Sequence, residues 1–355
     1  MAPSATLPEE VEAEVEYVIV HGGKGTLKRP ILKGKAMKPT FEEIPQVDFA
    51  NLDSGNIKDR EAIAANVRQA FSNVGFMYAV NHGISEELQA DCHINNSDTI
   101  KGYEALLETK LDQKTRGDLK EAFSVGPSPY DPEQKPPPGL DLSKYPKKAN
   151  QWPEQPADFR KVMYEYRSAL LEFGIKLMRV IALALGQEET YFDNLTGVDF
   201  AETRALHYPS QDIPEDVGIG AHADYSWFTL VNQLSPTPAL EVLNQNGHWI
   251  SAPPIPNTLV VNVGDFLERA SNDYFVSTVH RVVNKTGEER YSIPFFFMGA
   301  PDFMIQTVPS CITPERPARY EPINTAEWIR ERLLRARYKH PAGIAARAKE
   351  AMGEA

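Results

Sequence analysis

The sequence predicts a mainly β fold with helical additions, and three observations carry that expectation. From Arg204 to about Gln306 the chain breaks into nine short β-rich runs separated by Gly, Pro, Asn and Asp: ALHYP, GIGAHADY, WFTLVNQ, ALEVLN, HWISAPP, TLVVNVG, STVHRVVN, RYSIPFFFMG and DFMIQ. Runs of this length with no helical text between them indicate an antiparallel sandwich or barrel. Ahead of them, Val162, Tyr166, Leu170, Phe173, Leu177, Ile181 and Leu185 recur at three- and four-residue steps, which predicts one long helix opening at Asp158 and stopped by Gly186. Earlier still, IPQVDF (44–49) reads as a strand, Ile63, Val67 and Phe71 share one helical face, and GFMYAVNHGI reads as a second strand.

The remaining text is less regular. Residues 1–40 mix an acidic run with a basic, Gly-containing one and show no hydrophobic period, so a surface arm is expected. After His82 and Gly83, SEELQADC starts a helix with Ser85 as N-cap, and HINNSD ends it early. From Lys101 to about Pro156 the chain is polar and proline-dense, which predicts a long loop over the rest of the molecule. Helical text returns at Thr325 as TAEWIRERLLRARYKH and then AGIAARAKEAMG. The expected division is an arm (1–40), an N-terminal α/β lobe with its loop (41–156), the long helix with the β core (157–323), and C-terminal helices (324–355).

Composition narrows the function classes. With 355 residues, 42% hydrophobic and 24% charged, the chain has the make-up of a soluble globular protein. No apolar run approaches the roughly 18–20 residues that span a bilayer, and the acidic N-terminus is unlike a secretory signal, so a cytoplasmic protein without membrane contact is expected. A net charge of −12 repels a phosphate backbone and argues against nucleic acid as partner. Cys92 and Cys311 are too few for a disulfide framework and read as ordinary thiols.

The most informative string is GAHADYSWFTL. Residues two apart in a strand share a face, so His222 and Asp224 would present an imidazole and a carboxylate side by side. That is part of a metal site, and His280, among the β-branched residues of STVHRVV, is the candidate for the missing ligand. Two histidines and one carboxylate on one face of iron(II) leave the opposite positions for a cosubstrate and dioxygen. A lone His-x-Asp recurs by chance, so the reading needs more than these residues. RYSIPFFFMG supplies it: Arg290 and Ser292 share one strand face in apolar text, and a buried guanidinium needs an anion, so the pair predicts a carboxylate ligand.

The order of HADYS, STVHRV and RYSIPFF, preceded by NHGI and LHYP, resembles the iron(II)- and 2-oxoglutarate-dependent oxygenases of the isopenicillin N synthase-like branch, with a flavour of the fungal-type members that include thymine hydroxylase. The resemblance runs from about Ile44 to Asn324. It implies a double-stranded β-helix, or jelly roll, braced by the long helix and an N-terminal α/β lobe. By the same resemblance His222, Asp224 and His280 are the iron ligands, Arg290 and Ser292 hold the distal carboxylate of 2-oxoglutarate, and Tyr208 in LHYP assists them. The implied reaction uses dioxygen to oxidise a C–H bond of a small organic molecule and releases succinate and carbon dioxide. Two departures stand out: Leu206 replaces an Asn that many members carry two residues before the tyrosine, and the helix after NHGI is short. Asp224 is a carboxylate where halogenating relatives have a small residue, which favours hydroxylation, desaturation or ring chemistry.

Counting by twos from the anchors gives Ser226, Pro294 and Phe296 as pocket positions, with Leu206 near the cosubstrate and Phe123 of EAFSVG near the iron. Each could instead be ordinary core packing. His82 reads as a structural hydrogen-bonding residue, His207 as facing away from Tyr208, and His248 as a surface residue. Two other functions fit the same residues: an oxidase of this branch that uses dioxygen without 2-oxoglutarate, and a metal-retaining jelly-roll binding protein without turnover.

Overall fold

The computed structural model describes residues 16–22, 25–83, 103–104, 106–107, 117–127, 150, 152, 158–196, 201–211 and 217–329. Its strands in chain order are β1 (Tyr17–Gly22), β2 (Gly25–Pro30), β3 (Gln46–Asp48), β4 (Phe76–Val80), β5 (Tyr103–Glu104), β6 (Glu121–Val125), β7 (Glu202–Tyr208) and β8 (Ile219–His222). They continue as β9 (Phe228–Gln233), β10 (Leu240–Leu243), β11 (Trp249–Ser251), β12 (Leu259–Val263), β13 (His280–Val282), β14 (Arg290–Phe297), β15 (Met304–Ile305) and β16 (Ile323–Asn324). An eight-stranded sheet runs β3-β4-β12-β9-β14-β7-β6-β5, and a six-stranded sheet runs β11-β10-β13-β8-β1-β2. Both are mixed and open. Their pairing is antiparallel except at β3–β4 and β1–β8. The nine β-rich runs of the sequence supply β7 to β15, and the jelly-roll expectation holds.

Helices cover the large sheet. The first, Ile57–Asn73, is capped by Asn56, whose side chain accepts from the Lys58 amide, and it buries Ile63, Val67 and Phe71. The long helix, Phe159–Ala184, ends where Gly186 takes a positive φ of 71°, a conformation that costs glycine little. Its apolar stripe packs on the first helix and on β14, so the main core lies between these helices and one face of the sheet. The other face of the sheet turns towards the smaller sheet and forms a second apolar cluster with Phe76, Leu206, Tyr208, Val242 and Val260.

Four expectations need correction. The arm is not featureless, because β1 and β2 form a hairpin whose first strand joins β8 in parallel at His21 and His222. Its first strand opens with YVIV, β-branched text too short to stand out beside the Gly- and Lys-containing residues that follow. The long loop contains β6, which pairs with β7 over five residues. A short helix, Asp265–Ala270, interrupts the run of strands between β12 and β13. Finally, β8 stops at His222, so Asp224 lies in the turn beyond it and not on the strand. The helix after Ser85, Cys92, the proline tract and the Ala-rich tail lie outside the described residues. Residues 325–329 are helical, as TAEWI predicts. No helix among the described residues is long and apolar enough to cross a membrane.

The turn that holds Asp224 depends on a glycine. Gly264 precedes the short helix, and a Cβ added there would lie 2.0 Å from the backbone carbonyl oxygen of Ser226. That carbonyl is fixed, because it accepts from the Phe266 amide. Gly264→Ala therefore forces the two segments apart. The expected cost is ~1–3 kcal/mol of stability, read as a lowered unfolding midpoint in urea, and a cost below that range would show that the turn yields easily.

Candidate metal and cosubstrate site

Strand pairing brings the histidines together. β8 and β13 run antiparallel with His222 directly opposite His280, so residues 58 positions apart become cross-strand neighbours with ring centroids 4.3 Å apart. Asp224 reaches the same point from the following turn: its Oδ1 lies 3.6 Å from Nε2 of His222 and 3.8 Å from Nε2 of His280. One ligand atom from each of the three falls within 4.8 Å of the others.

The surrounding hydrogen bonds fix which atoms face inward. His222 Nδ1 donates to the Gly220 carbonyl at 2.8 Å and His280 Nδ1 to the Thr278 carbonyl at 3.2 Å. A carbonyl only accepts, so each Nδ1 carries a proton and each Nε2 is the atom turned towards Asp224. Asp224 Oδ2 accepts from the Thr229 hydroxyl at 2.6 Å and the Asn262 amide at 2.7 Å, which leaves Oδ1 for a cation. Its main-chain carbonyl accepts from the Asp265 amide at 2.8 Å, so the short helix anchors the turn. Burial alone would raise the Asp224 carboxyl, but the two imidazoles and the Thr229 hydroxyl outweigh it and hold the group well below the usual carboxylate range. His280 is pushed down to about 4 by burial and by the neighbouring His222. A neutral imidazole, an ionised carboxylate and a shared focus are the donor set that suits iron(II) with open positions opposite.

A buried cation marks the other end. Arg290 is 1% exposed, with Nη1 donating to Ser292 Oγ and Nη2 to Gln233 Oε1, each at 3.2 Å, while its Nε has no hydrogen-bond partner among the described residues. Tyr208 lies directly across the β7–β14 ladder, with its ring centre 4.8 Å from the guanidinium carbon. These partners are all neutral, so the charge is left for an anion to meet. Ser292 faces Leu206 on one side and Gln233 on the other.

One cavity connects both ends. The triad, Tyr208, Arg290 and Ser292 line it together with Leu206, Ser226, Pro294 and Phe296, the four wall positions expected from the sequence. Phe123 is the exception. It pairs with Ala205 on the opposite face of the sheet and packs on Phe159 at 5.3 Å and Trp152 at 5.8 Å, so it belongs to the core. The lining residues of that segment are Asp118 and Lys120. Of the other histidines, His82 is buried beside Phe173 and hydrogen-bonded to the Asn257 backbone, and His207 stacks on Tyr291 away from the cavity. His248 is half-buried, not on the surface, because its Nε2 meets the Leu32 carbonyl at 3.1 Å. Sequence reasoning missed Gln233, Thr229 and Asn262, which hold the site's charged groups. Their roles depend on strand register, which a single sequence does not reveal.

Residues 200–299 match the 2OG-Fe(II) oxygenase superfamily, and residues 44–93 match the N-terminal region of a non-haem dioxygenase in morphine synthesis. The 2-oxoglutarate-Fe(II) type oxidoreductase hxnY of Emericella nidulans is 33% identical over 351 residues, covering 90% of this chain and 95% of its own. The chain belongs to the 2OG-Fe(II) oxygenase superfamily. Homoarginine-6-hydroxylase 2-ODD-233 of rice, Oryza sativa subsp. japonica, is 34% identical over 332 residues, 84% of this oxygenase and 98% of the rice protein. The crystal structure of the full-length Neurospora crassa thymine hydroxylase with alpha-KG and thymine superposes with a TM-score of 0.69 at 28% identity, covering 82% of this chain and 96% of that one.

In this oxygenase the Thr229 hydroxyl orients the Asp224 carboxylate through Oδ2 and leaves Oδ1 free of it. Thr229→Val keeps the shape and removes that donor. Isothermal titration with manganese(II), a redox-inert substitute, is expected to show affinity weakened by about tenfold, and unchanged affinity would show that Asn262 alone suffices.

Proposed function

We propose that His222, Asp224 and His280 hold iron(II), and that Arg290, Ser292 and Tyr208 hold the distal carboxylate of 2-oxoglutarate. On this reading the protein oxidises a C–H bond of a small organic molecule. The observation that carries the cosubstrate assignment is the buried Arg290, whose hydrogen-bond partners are neutral, in the same cavity as the triad. A membrane-free, small-molecule enzyme also accords with the homoarginine named for the rice relative and the thymine bound to the Neurospora crassa enzyme.

The overall reaction consumes one 2-oxoglutarate and one dioxygen. One oxygen atom ends in succinate, which forms with loss of carbon dioxide, and the other is inserted into the C–H bond as a hydroxyl. Iron bound at the triad supplies the activation of dioxygen and the oxidising power for the C–H bond. The residues themselves bind, orient and exclude. Arg290 and Ser292 fix the far end of 2-oxoglutarate, which directs its keto acid end towards the triad. Asp224, held on Oδ2 by Thr229 and Asn262, presents a single oxygen in one direction. Leu206, Pro294 and Phe296 form an apolar wall that keeps water from the reacting carbon.

Succinate release tests the assignment. Iron-loaded protein is expected to convert 2-oxoglutarate to succinate slowly without substrate and faster with one, and Arg290→Ala to lose at least about 100-fold in kcat/KM for 2-oxoglutarate, as befits a buried charged anchor. No succinate from the wild type under any condition, or full activity in Arg290→Ala, would sink it.

A further inference from the structure

The residue that meets Arg290 Nη2 connects the two sheets. Gln233 ends β9 two residues after Val231 and four after Thr229, so it shares their face, and it stands level with Ser292 on β14. The cavity lining includes Arg290 and Ser292 but not Gln233. An effect of Gln233 on a bound anion therefore passes through Arg290.

The orientation of the Gln233 amide is set by what it meets. Oε1 accepts from Arg290 Nη2 at 3.2 Å, and Nε2 donates to the Ala252 carbonyl at 3.1 Å. A guanidinium only donates and a carbonyl only accepts, so exchanging the two amide atoms would spoil both bonds. Ala252 is fully buried and anchored in turn. Its amide donates to the Leu240 carbonyl at 2.9 Å, and the Tyr78 hydroxyl donates to the next carbonyl, that of Pro253, at 2.7 Å. Leu240 begins β10, whose Val242 pairs with His280 on β13. Gln233 thus ties the guanidinium of the large sheet to the small sheet, which carries both histidines.

The neutrality of the amide matters as much as its position. A carboxylate in its place would accept from the guanidinium but also cancel its charge before any ligand arrived. An apolar side chain would leave Nη2 buried without that acceptor. The amide does neither. We propose that Gln233 is a positioning residue for the cosubstrate: it fixes the Arg290 guanidinium against the small sheet without neutralising it, so that the full positive charge meets the distal carboxylate. This rests on the reading of Arg290 as the 2-oxoglutarate anchor.

Titration calorimetry of 2-oxoglutarate into protein loaded with manganese(II) tests it without turnover. Gln233→Leu is expected to weaken 2-oxoglutarate binding about tenfold, the effect of one lost hydrogen bond to a charged group. Gln233→Glu is expected to weaken it about 100-fold or more, because the anion must displace a carboxylate already paired with Arg290. Manganese affinity is expected to stay within about threefold of wild type in both, which separates loss of the anchor from disturbance of the triad. A merely structural glutamine would not rank the two variants by charge. Equal losses in the two, unchanged 2-oxoglutarate affinity in either, or manganese affinity falling in step with it overturns the proposal. If Gln233→Glu does not fold, Gln233→Leu decides alone, by the presence or absence of its loss at unchanged manganese affinity. A wild type that binds 2-oxoglutarate with this pattern of variants yet forms no succinate supports the Gln233 assignment and counts against the oxygenase reading alone. Succinate formation by the wild type, with variants that bind 2-oxoglutarate as tightly as it does, has the converse meaning. A wild type that does not bind 2-oxoglutarate overturns both.

Discussion

The antiparallel pairing of β8 with β13 is the constraint on which the site depends. It sets His222 against His280, and no local feature of either strand could do so. A shift of one residue in that register would turn one imidazole to the opposite face, because strand side chains alternate. The register is held from several sides. The Gly218 amide donates to the Val282 carbonyl, β10 pairs with β13 through Val242 and His280, and the Gly218 Cα lies so close to Tyr208 that an added Cβ would stand 2.7 Å from its ring. Tyr208 thus packs against the residue that leads into β8, the strand of His222.

Burial does the rest of the chemical work. Asp224 and Arg290 are each removed from water and then served by a small number of directed partners: Asp224 by Thr229 and Asn262, Arg290 by Ser292 and Gln233. In both cases the partners satisfy part of the group and leave a defined remainder, one carboxylate oxygen or one guanidinium edge. Low local dielectric makes those remainders strong and selective binding elements, and preorganised partners avoid the reorganisation that water would require.

Much of this was legible in the sequence, and the misses have physical causes. The nine β-rich runs, the long helix and the triad could be read because each has a strong local signature: alternation, a 3.6-residue period, or an unusual residue type in apolar text. The His222–Asp224 spacing singled out residues that the structure brings together with His280, but for an incomplete reason. The strand ends at His222, and Asp224 is brought inward by a turn that the Asp265 amide and Gly264 secure, neither of which follows from alternation. Phe123 failed because its face depends on how β6 registers against β7. Ala122 pairs with Leu206 on the inner face, which leaves Phe123 with Ala205 on the outer one. The β1–β2 hairpin escaped notice because its apolar text, YVIV, is short and is followed at once by the glycine-containing, basic HGGKGTLKRP.

The same ladder orders the chemistry along the cavity. On β14, Arg290 and Ser292 come first and Pro294 and Phe296 follow. On β7, running the other way, Tyr208 faces Arg290, Leu206 faces Ser292, and Glu202 faces Phe296. On β9, Gln233 stands level with Ser292 and Thr229 level with Phe296. The anion-binding end and the end that steers Asp224 are thus four residues apart on one strand, about 13 Å of backbone at the usual rise. Pro294 lies between them, and the β7–β14 pairing lapses at Ile293 and Pro294, as a residue without an amide hydrogen requires. Polar anchor and apolar wall therefore follow from a single register: moving either along the strand would move the other with it, so β14 and its two neighbours fix their order while the segments around Asp118 and Asp224 complete the lining.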